Sequence, residues 1–473
     1  MSLISKTSRR RADTDFTSGP MLWPMILFTL PIMATGVLQF LYNAADTVAV
    51  GRFEGKVALA AVGSTGSLSN LITGLFIGLS VGANVAVSHA LGAGDDEDAH
   101  EIVHTSITVS AFLGLLVGVI GFFLARPLLE LMDVPDNVIG LSSGYMRIIF
   151  IGIPAQMVYN YGAAILRAKG DTKHPLYFLI ASGMINVLLN LVFVIGCKLS
   201  VNGVACATII SQYISAFLVI NQLCRIDGCC RLELKKLKIY PRKLLQIISI
   251  GLPAGLQSVL FSFSNVLIQS SVNFLGDIAM AGNTAAANID GLIYIACNAF
   301  YHTALNYTGQ NLGAKKTDRI RVTCRLCLIM VTLVGVLIAA VCYLFGRELL
   351  GIYAPGETDV IEYGMIRLLY MGVPYFLCGT MEVMSGMLRG IGASVTSMVI
   401  SLTGACLMRI LWIKFVFDVW STPEMLYISY PISWILTTAG AYVAYIIILR
   451  RIEKRLGIVK EKKEKNNEIQ FTA

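Results

Sequence analysis

About twelve stretches of 20 or more residues with few charges run through this chain, each long enough to cross roughly 30 Å of hydrocarbon. In lipid every backbone N–H and C=O has to be satisfied within the protein, so such stretches are helices or closed-barrel strands, and unbroken runs of this length exclude strands. Composition agrees: 56% of the 473 residues are hydrophobic and only 14% are charged, where a water-soluble domain carries about 25%. The expected fold class is an all-α membrane protein of twelve transmembrane helices. The spans are placed at 24–47, 57–88, 102–125, 143–166, 176–197, 201–224, 244–275, 280–311, 322–346, 364–388, 394–417 and 426–449.

A formal net charge of +8 would suit a nucleic-acid binder, but the charge follows the spans instead. With a cytoplasmic N-terminus, most of the 37 Lys and Arg residues fall in cytoplasmic loops or helix ends, densest at residues 6–11, 225–243, 315–325 and 450–465. This is the positive-inside bias. It predicts a multi-pass cell-membrane protein with both termini cytoplasmic, contacting lipids and no nucleic acid; a monomer is expected, though not from the charge pattern. The first apolar run is too long for a cleavable signal and lacks a small-residue cleavage site. The eleven cysteines lie mostly inside spans, where Cys behaves as a small apolar residue. Cys324-x-x-Cys327 and the adjacent Cys229 and Cys230 have no second pair at zinc-site spacing, so no metal or disulfide is expected.

The chain is written twice at an offset of about 222 residues. Leu30-Pro31 matches Leu252-Pro253, Leu91-Gly92-Ala93 matches Leu312-Gly313-Ala314, Gly152-Ile153-Pro154 matches Gly372-Val373-Pro374, and Leu166-Arg167 matches Leu388-Arg389. Six spans per copy give two six-helix lobes with the same orientation, related by a pseudo-two-fold axis along the membrane normal. In transporters built this way the substrate site lies between the repeats, and their rocking gives alternating access. The predicted organisation is an N-terminal tail at 1–22, an N-lobe at 23–224, a basic linker at 225–243, a C-lobe at 244–450 and a C-terminal tail at 451–473.

A carboxylate inside a span is costly unless it is paired, protonated or facing a wet cavity, so intramembrane acids are functional candidates. Asp46, in Gln39-Phe-Leu-Tyr-Asn-Ala-Ala-Asp46, is the leading one, with an interfacial acid at a helix end as the plain alternative. Asn186 and Asn190 lie one turn apart on the fifth span, and Thr208 on the sixth reaches a similar depth. The matching positions in the second copy are Ile268, Met408, Trp412 and Tyr430, so this polar cluster does not recur. It predicts a proton or small-cation site in the first lobe only. Pro31 precedes Asp46 by 15 residues and is expected to bend that helix, for coupling or for packing alone. Gln257, Asp290 and Glu382 are candidates for a substrate cavity favouring cations; alternatively Asp290 or Glu382 pairs with an Arg such as Arg389 or Arg409.

His100-Glu101-Ile102-Val103-His104 fits the pattern in which two imidazoles one turn apart hold zinc and the Glu activates water. The second copy has Arg321 and Arg325 in the same slot, and no third ligand is evident. The slot reads as a basic helix start, with a zinc protease as the alternative.

Taken together, the segments resemble the multidrug and toxic compound extrusion (MATE) family, from about Leu22 to Arg451. The resemblance rests on Leu30-Pro31 with Leu-Tyr-Asn-Ala-Ala-Asp46-Thr-Val-Ala-Val-Gly-Arg, on Leu91-Gly-Ala-Gly, and on Leu166-Arg-Ala-Lys-Gly-Asp171. The second half adds Gly251-Leu-Pro-Ala-Gly-Leu-Gln257, Gly309-Gln-Asn-Leu-Gly-Ala314 and Leu388-Arg-Gly-Ile-Gly392. It implies two six-helix lobes around a cavity and efflux of small amphipathic organic substrates driven by inward H+ or Na+, with no other cofactor and no enzymatic activity. It also implies a cation site of Asp46, Asn186, Thr208 and the fifth-helix position held here by Asn190, where the family pattern has an acid. Without that carboxylate a sodium ion loses a hard anionic ligand, which makes a single proton-carrying Asp46 somewhat more attractive, with H+ and Na+ both left open. Gln257 stands where some branches carry Glu. The nearest rival within transporters is a flippase of lipid-linked precursors, which would line its cavity with Arg and Lys; few are visible inside these spans.

Overall fold

The computed structural model describes residues 16–53, 55–197 and 199–458, without the side chains of 45–53, 55–60 and 195. Sixteen α-helices follow one another among them. The first half holds α1 (Leu22–Phe53), α2 (Gly55–Ala93), α3 (Asp96–Leu131), α4 (Asp136–Ala168), α5 (Lys173–Asn190) and α6 (Ser200–Arg225). The second holds α7 (Pro241–Phe274), α8 (Asp277–Gly313), α9 (Thr317–Leu344), α10 (Gly346–Tyr353), α11 (Thr358–Arg367), α12 (Phe376–Gly390), α13 (Ser394–Ser401), α14 (Met408–Trp412), α15 (Pro423–Tyr427) and α16 (Ser429–Arg455). π-helical segments join α13 to α14 and extend α14 to Phe417, so the eleventh span is continuous. The tenth span is α11 and α12 joined by a π-turn (Leu368–Gly372) and a 3-10 turn (Val373–Tyr375). Pro374 sits at this break, where its missing N–H would interrupt a regular helix.

Ten helical stretches are long and apolar enough to cross a membrane; α8 and the interrupted tenth span complete the twelve. The burial pattern is that of a protein whose solvent is lipid. Phe112, Phe123, Phe217, Leu333 and Leu337 are each at least 65% exposed, whereas Ser106, Ser110, Thr303, Asn306, Thr308 and Asn311 are wholly buried. Polar groups avoid hydrocarbon by bonding inward: Asn84 Nδ2 donates to Ala164 O at 2.8 Å, and the Thr303 hydroxyl to Ala299 O at 3.0 Å. Helix starts are marked by chemistry the sequence carries openly. Asp95 caps α3 by accepting from Asp98 N at 2.9 Å, and Asp96, Glu97 and Asp98 in its first turn oppose the helix dipole.

Two compact units divide the chain. The first contains Trp23–Leu91 and Asp95–Ser262; the second contains Phe16–Leu22, Gly92–Gly94 and the residues from Phe263 onward. Linker residues and the first part of α7 therefore belong with the first unit, and a short segment ahead of α1 with the second. Inside the first unit α3 packs on α4, and α6 on both α4 and α5; inside the second, α8 packs on α9, α11 and α12, and α12 on α16.

The repeat recurs in local geometry. Gly170 and Gly392 end the two Leu-Arg segments with φ of 95° and 81°, a region open mainly to glycine. Gly94 and Lys315, at φ 70° and 57°, close α2 and α8. A Cβ on Gly114 would lie 2.7 Å from Pro154 Cα, and one on Gly335 2.9 Å from Phe376 Cβ. The π-segment at Leu191–Gly196 reappears at Ile413–Phe417, on the same offset.

The contact between α2 and α7 is backbone on backbone. A Cβ on Gly78 would lie 2.3 Å from Gly255 Cα, and one on Gly82 2.1 Å from Ile247 O. The signal was present as Gly74-x-x-x-Gly78-x-x-x-Gly82 and Gly251-x-x-x-Gly255, a small-residue spacing that lets membrane helices approach closely.

Candidate ion and substrate sites

In the first unit, α1 meets α5 at Tyr42, whose ring occupies the space a Cβ on Gly183 would fill, 2.0 Å from the ring. This fixes the level of α1 against α5. One turn further along α5 lies Asn186, and one turn beyond it Asn190, 6% and 3% exposed. Asn190 Nδ2 donates to Asn186 Oδ1 at 3.2 Å, so the structure brings together the two residues that spacing placed on one face. The π-segment begins immediately after Asn190, and such turns cluster at functional sites. Asp46 lies one turn beyond Tyr42 along α1, but its side chain is outside the described residues. Thr208 on α6 is half-buried and its hydroxyl donates to Val204 O at 2.9 Å. Pro31 lies inside α1, and the Thr35 hydroxyl donates to its carbonyl at 2.8 Å, an arrangement that bends membrane helices.

Gln257 is buried on the part of α7 that belongs to the first unit, whereas Asp290 and Glu382 belong to the second. Asp290 is 2% exposed and its Oδ2 accepts from Arg367 Nε at 2.9 Å. Arg367 also donates to Asn283 Oδ1 at 2.5 Å, which accepts from the Tyr427 hydroxyl at 3.0 Å. The partner expected for Asp290, Arg389 or Arg409, is thus corrected to Arg367, on α11 where the helix breaks. Asp290 Oδ1 has no hydrogen bond among the described residues and lies 3.2 Å from where a Cβ on Gly372 would stand. The glycine of the Gly-Val-Pro segment makes room for this carboxylate. Glu382 on α12 is half-buried, and no cationic side chain lies within ion-pairing distance of it among the described residues.

The few cations inside the spans include three buried arginines. Arg367, Arg389 and Arg409 are 8%, 8% and 4% exposed, all in the second unit. Arg389 donates to the Tyr301 hydroxyl at 2.6 Å. Arg409 is held by aromatic rings, with its guanidinium 4.1 Å from the centre of the Tyr430 ring and 5.9 Å from that of Trp434. Tyr430 and Met408, the neighbour of Arg409, are the repeat counterparts of Thr208 and Asn186, so where the first unit keeps neutral polar groups the second places a fixed positive charge. Comparing copies at neighbouring as well as equivalent positions would have exposed it.

The His-Glu-x-x-His segment serves the linker. His104 Nδ1–H donates to His100 O at 2.8 Å, and Nε2 accepts the Glu233 N–H at 3.0 Å. Next to it, Thr105 Oγ1 accepts from Tyr240 N at 3.2 Å, and Lys243 pairs with Asp98. At the surface, Lys236 beside Glu233 holds that carboxyl below its usual range. Among the described residues no group of three or more His, Cys, Asp or Glu is disposed to hold a metal. All eleven cysteines are free thiols.

Twelve membrane-length spans in two sequence-related halves, with ionisable groups buried in their interiors, define a multi-pass membrane transporter. The chain belongs to the MatE family, whose model matches residues 31–192 and again 253–413; the two matches begin on Pro31 and Pro253. It is 29% identical to the "Probable multidrug resistance protein YoeA" of Bacillus subtilis (strain 168), over 84% of this chain and 87% of that protein. It is 22% identical to the "Multidrug export protein MepA" of Staphylococcus aureus (strain NCTC 8325 / PS 47), over 84% and 88%. Among solved structures, a "multidrug resistance MATE family transporter of the MOP superfamily" in an outward-facing conformation superposes with TM-score 0.87 at 20% identity, covering 94% of this chain and 99% of that one. A MATE structure in the bent conformation gives 0.80 at 22% identity, covering 93% and 96%.

Proposed function

We infer that the protein is a secondary active exporter of small amphipathic organic compounds, many of them cationic, moved outward in exchange for an inward-moving cation by alternating access of its two lobes. The family membership and the multidrug export and resistance functions for which its relatives are named support this reading. The observation that carries the coupling assignment is the Tyr42–Gly183 contact, which brings the Asp46 turn of α1 to the level of the Asn186–Asn190 pair. Asp46 would carry the coupling ion, with Asn186, Asn190 and Thr208 around it and the bend at Pro31 transmitting its change of state. An Asn pair offers amide oxygens rather than a second carboxylate, which favours a proton over sodium. The protein would reside in the cell membrane with both termini cytoplasmic.

The test is uptake of a fluorescent lipophilic cation into inside-out vesicles under a proton gradient or a sodium gradient imposed separately. Accumulation under the proton gradient, lost in Asp46→Asn, is the expected result. Undiminished transport by Asp46→Asn would remove Asp46 from the coupling site, and no accumulation under either gradient would overturn the exporter reading for such cations.

A further inference from the structure

Three buried guanidinium groups occupy the second unit, and they are not equivalent. Arg367 is neutralised by Asp290. Arg389 has a phenol hydroxyl on one nitrogen. Arg409, the most deeply buried, has one hydrogen bond, from Nε to Ser433 Oγ at 2.9 Å, and no carboxylate within 4 Å among the described residues. Its remaining N–H groups have no protein acceptor recorded among those residues.

A charge in a low-dielectric interior is tolerated when it is paired or when its surroundings replace water. Here the surroundings are π faces. Tyr430 lies nearest, Trp434 next, and Trp434 in turn packs against Tyr430 at 5.8 Å and Tyr375 at 5.1 Å between ring centroids. The hydroxyls of Tyr430 and Tyr375 likewise have no hydrogen-bond partner recorded among the described residues. The cluster therefore combines a planar positive fork, phenol donors and aromatic walls on α14, α16 and the broken tenth span. A guanidinium fork matches a carboxylate edge to edge, and the rings offer stacking surface to an aromatic body beside it.

We propose that Arg409, with Tyr430, Trp434 and Tyr375, is a binding site for a carboxylate borne on an aromatic ring system. This deepens the exporter reading and rests on it for its physiological meaning: the transporter's substrates would include aromatic acids and amphoteric aromatics, not cations alone. The ligand supplies the anion that the fold withholds from Arg409. A carboxylate is favoured over a phosphate because one fork and two neutral hydroxyls match a single negative charge.

Calorimetric titration of the purified full chain in lipid nanodiscs, with no ion gradient, tests the site independently of transport. The probes are 2-naphthoate, neutral 2-naphthamide and 2-naphthyl phosphate. Naphthoate should bind about ten-fold more tightly than naphthamide, and more tightly than naphthyl phosphate. Arg409→Gln should abolish the preference while Arg409→Lys keeps part of it, with thermal melts confirming that both remain folded. Tyr430→Phe retains the ring over Arg409 and should weaken naphthoate several-fold while leaving naphthamide unchanged. If Arg409→Gln does not fold, Tyr430→Phe decides: equal affinity for naphthoate in this variant and the wild type overturns the site. Equal binding of naphthoate and naphthamide by the wild type, a preference for the phosphate, or a preference that survives in a folded Arg409→Gln also overturns it. Failure of cation uptake in vesicles would leave this binding result standing, so the two readings fall separately.

Discussion

Arg367 Nε donates to Asp290 Oδ2 at 2.9 Å in a pair whose side chains are 10% and 3% exposed. The pair joins α8 to the end of α11, where the tenth span leaves α-helical geometry, so it holds a fixed point beside a deformable one. Removing one member strands the other charge in a buried, low-dielectric interior. Asp290→Ala should therefore destabilise the protein by about 3–5 kcal/mol, visible as a lower melting temperature in detergent. The double variant Asp290→Leu with Arg367→Met should recover most of that loss, because an apolar pair of similar volume leaves no uncompensated charge. A double variant no more stable than Asp290→Ala would deny that charge pairing is what the pair contributes.

Gly78 and Gly82 let α2 and α7 touch through their backbones. Gly78→Ala should cost about 1–3 kcal/mol through the forced separation of the helices. Gly74→Ala, whose new Cβ would meet Ser258 Cβ at 3.3 Å, should be tolerated far better. Melting temperatures of the two variants measured side by side check the contrast.

His104 fastens the linker through the Glu233 N–H. His104→Ala leaves that donor without its acceptor, at a cost of about 1–3 kcal/mol, and should loosen residues 226–240. Trypsin should then cut at Lys235, Lys236 or Lys238 several-fold faster than in the wild type, with α3 itself undigested. Unchanged cleavage would mean that the bond does not restrain the linker.

Asn190 sits 3.2 Å from Asn186 in a pair with no formal charge. Asn190→Asp adds a hard oxygen ligand of the kind small metal cations favour. Sodium stimulation of transport should appear or rise several-fold in this variant. If Asn190→Asp remains indifferent to sodium, the pair is not part of the ion site.

The helices were legible because lipid imposes one requirement on every spanning segment, so length and charge depletion alone mark them. The repeat was legible because its turns need particular residues, as at Gly170 and Gly392. Side-chain partners were less so. Asn186 and Asn190 share one helix, and spacing decides their proximity; Asp290 and Arg367 are 77 positions apart on different helices, and only packing decides which arginine arrives. For a related reason Arg409 was visible in the sequence only as a candidate helix-locking cation: its lack of a carboxylate is a property of three dimensions. The His100 and His104 spacing, conversely, suggested a ligand set that the fold uses to anchor a linker.

The segment ahead of α1 reaches far along the chain for its partners. Phe16 stacks on Tyr307 at 4.2 Å, and Arg319 donates to the carbonyls of Phe16, Ser18 and Gly19, the first of these 303 positions away. During synthesis α1 enters the membrane before any of these partners exists, with the stretch just ahead of it unfastened. Its mooring becomes available only after α8 and the start of α9 have left the ribosome. Assembly thus has a late step that ties the segment just ahead of α1 to a region made much later. Chains released before about residue 319 would contain the first unit's helices but lack the arginine that secures this segment.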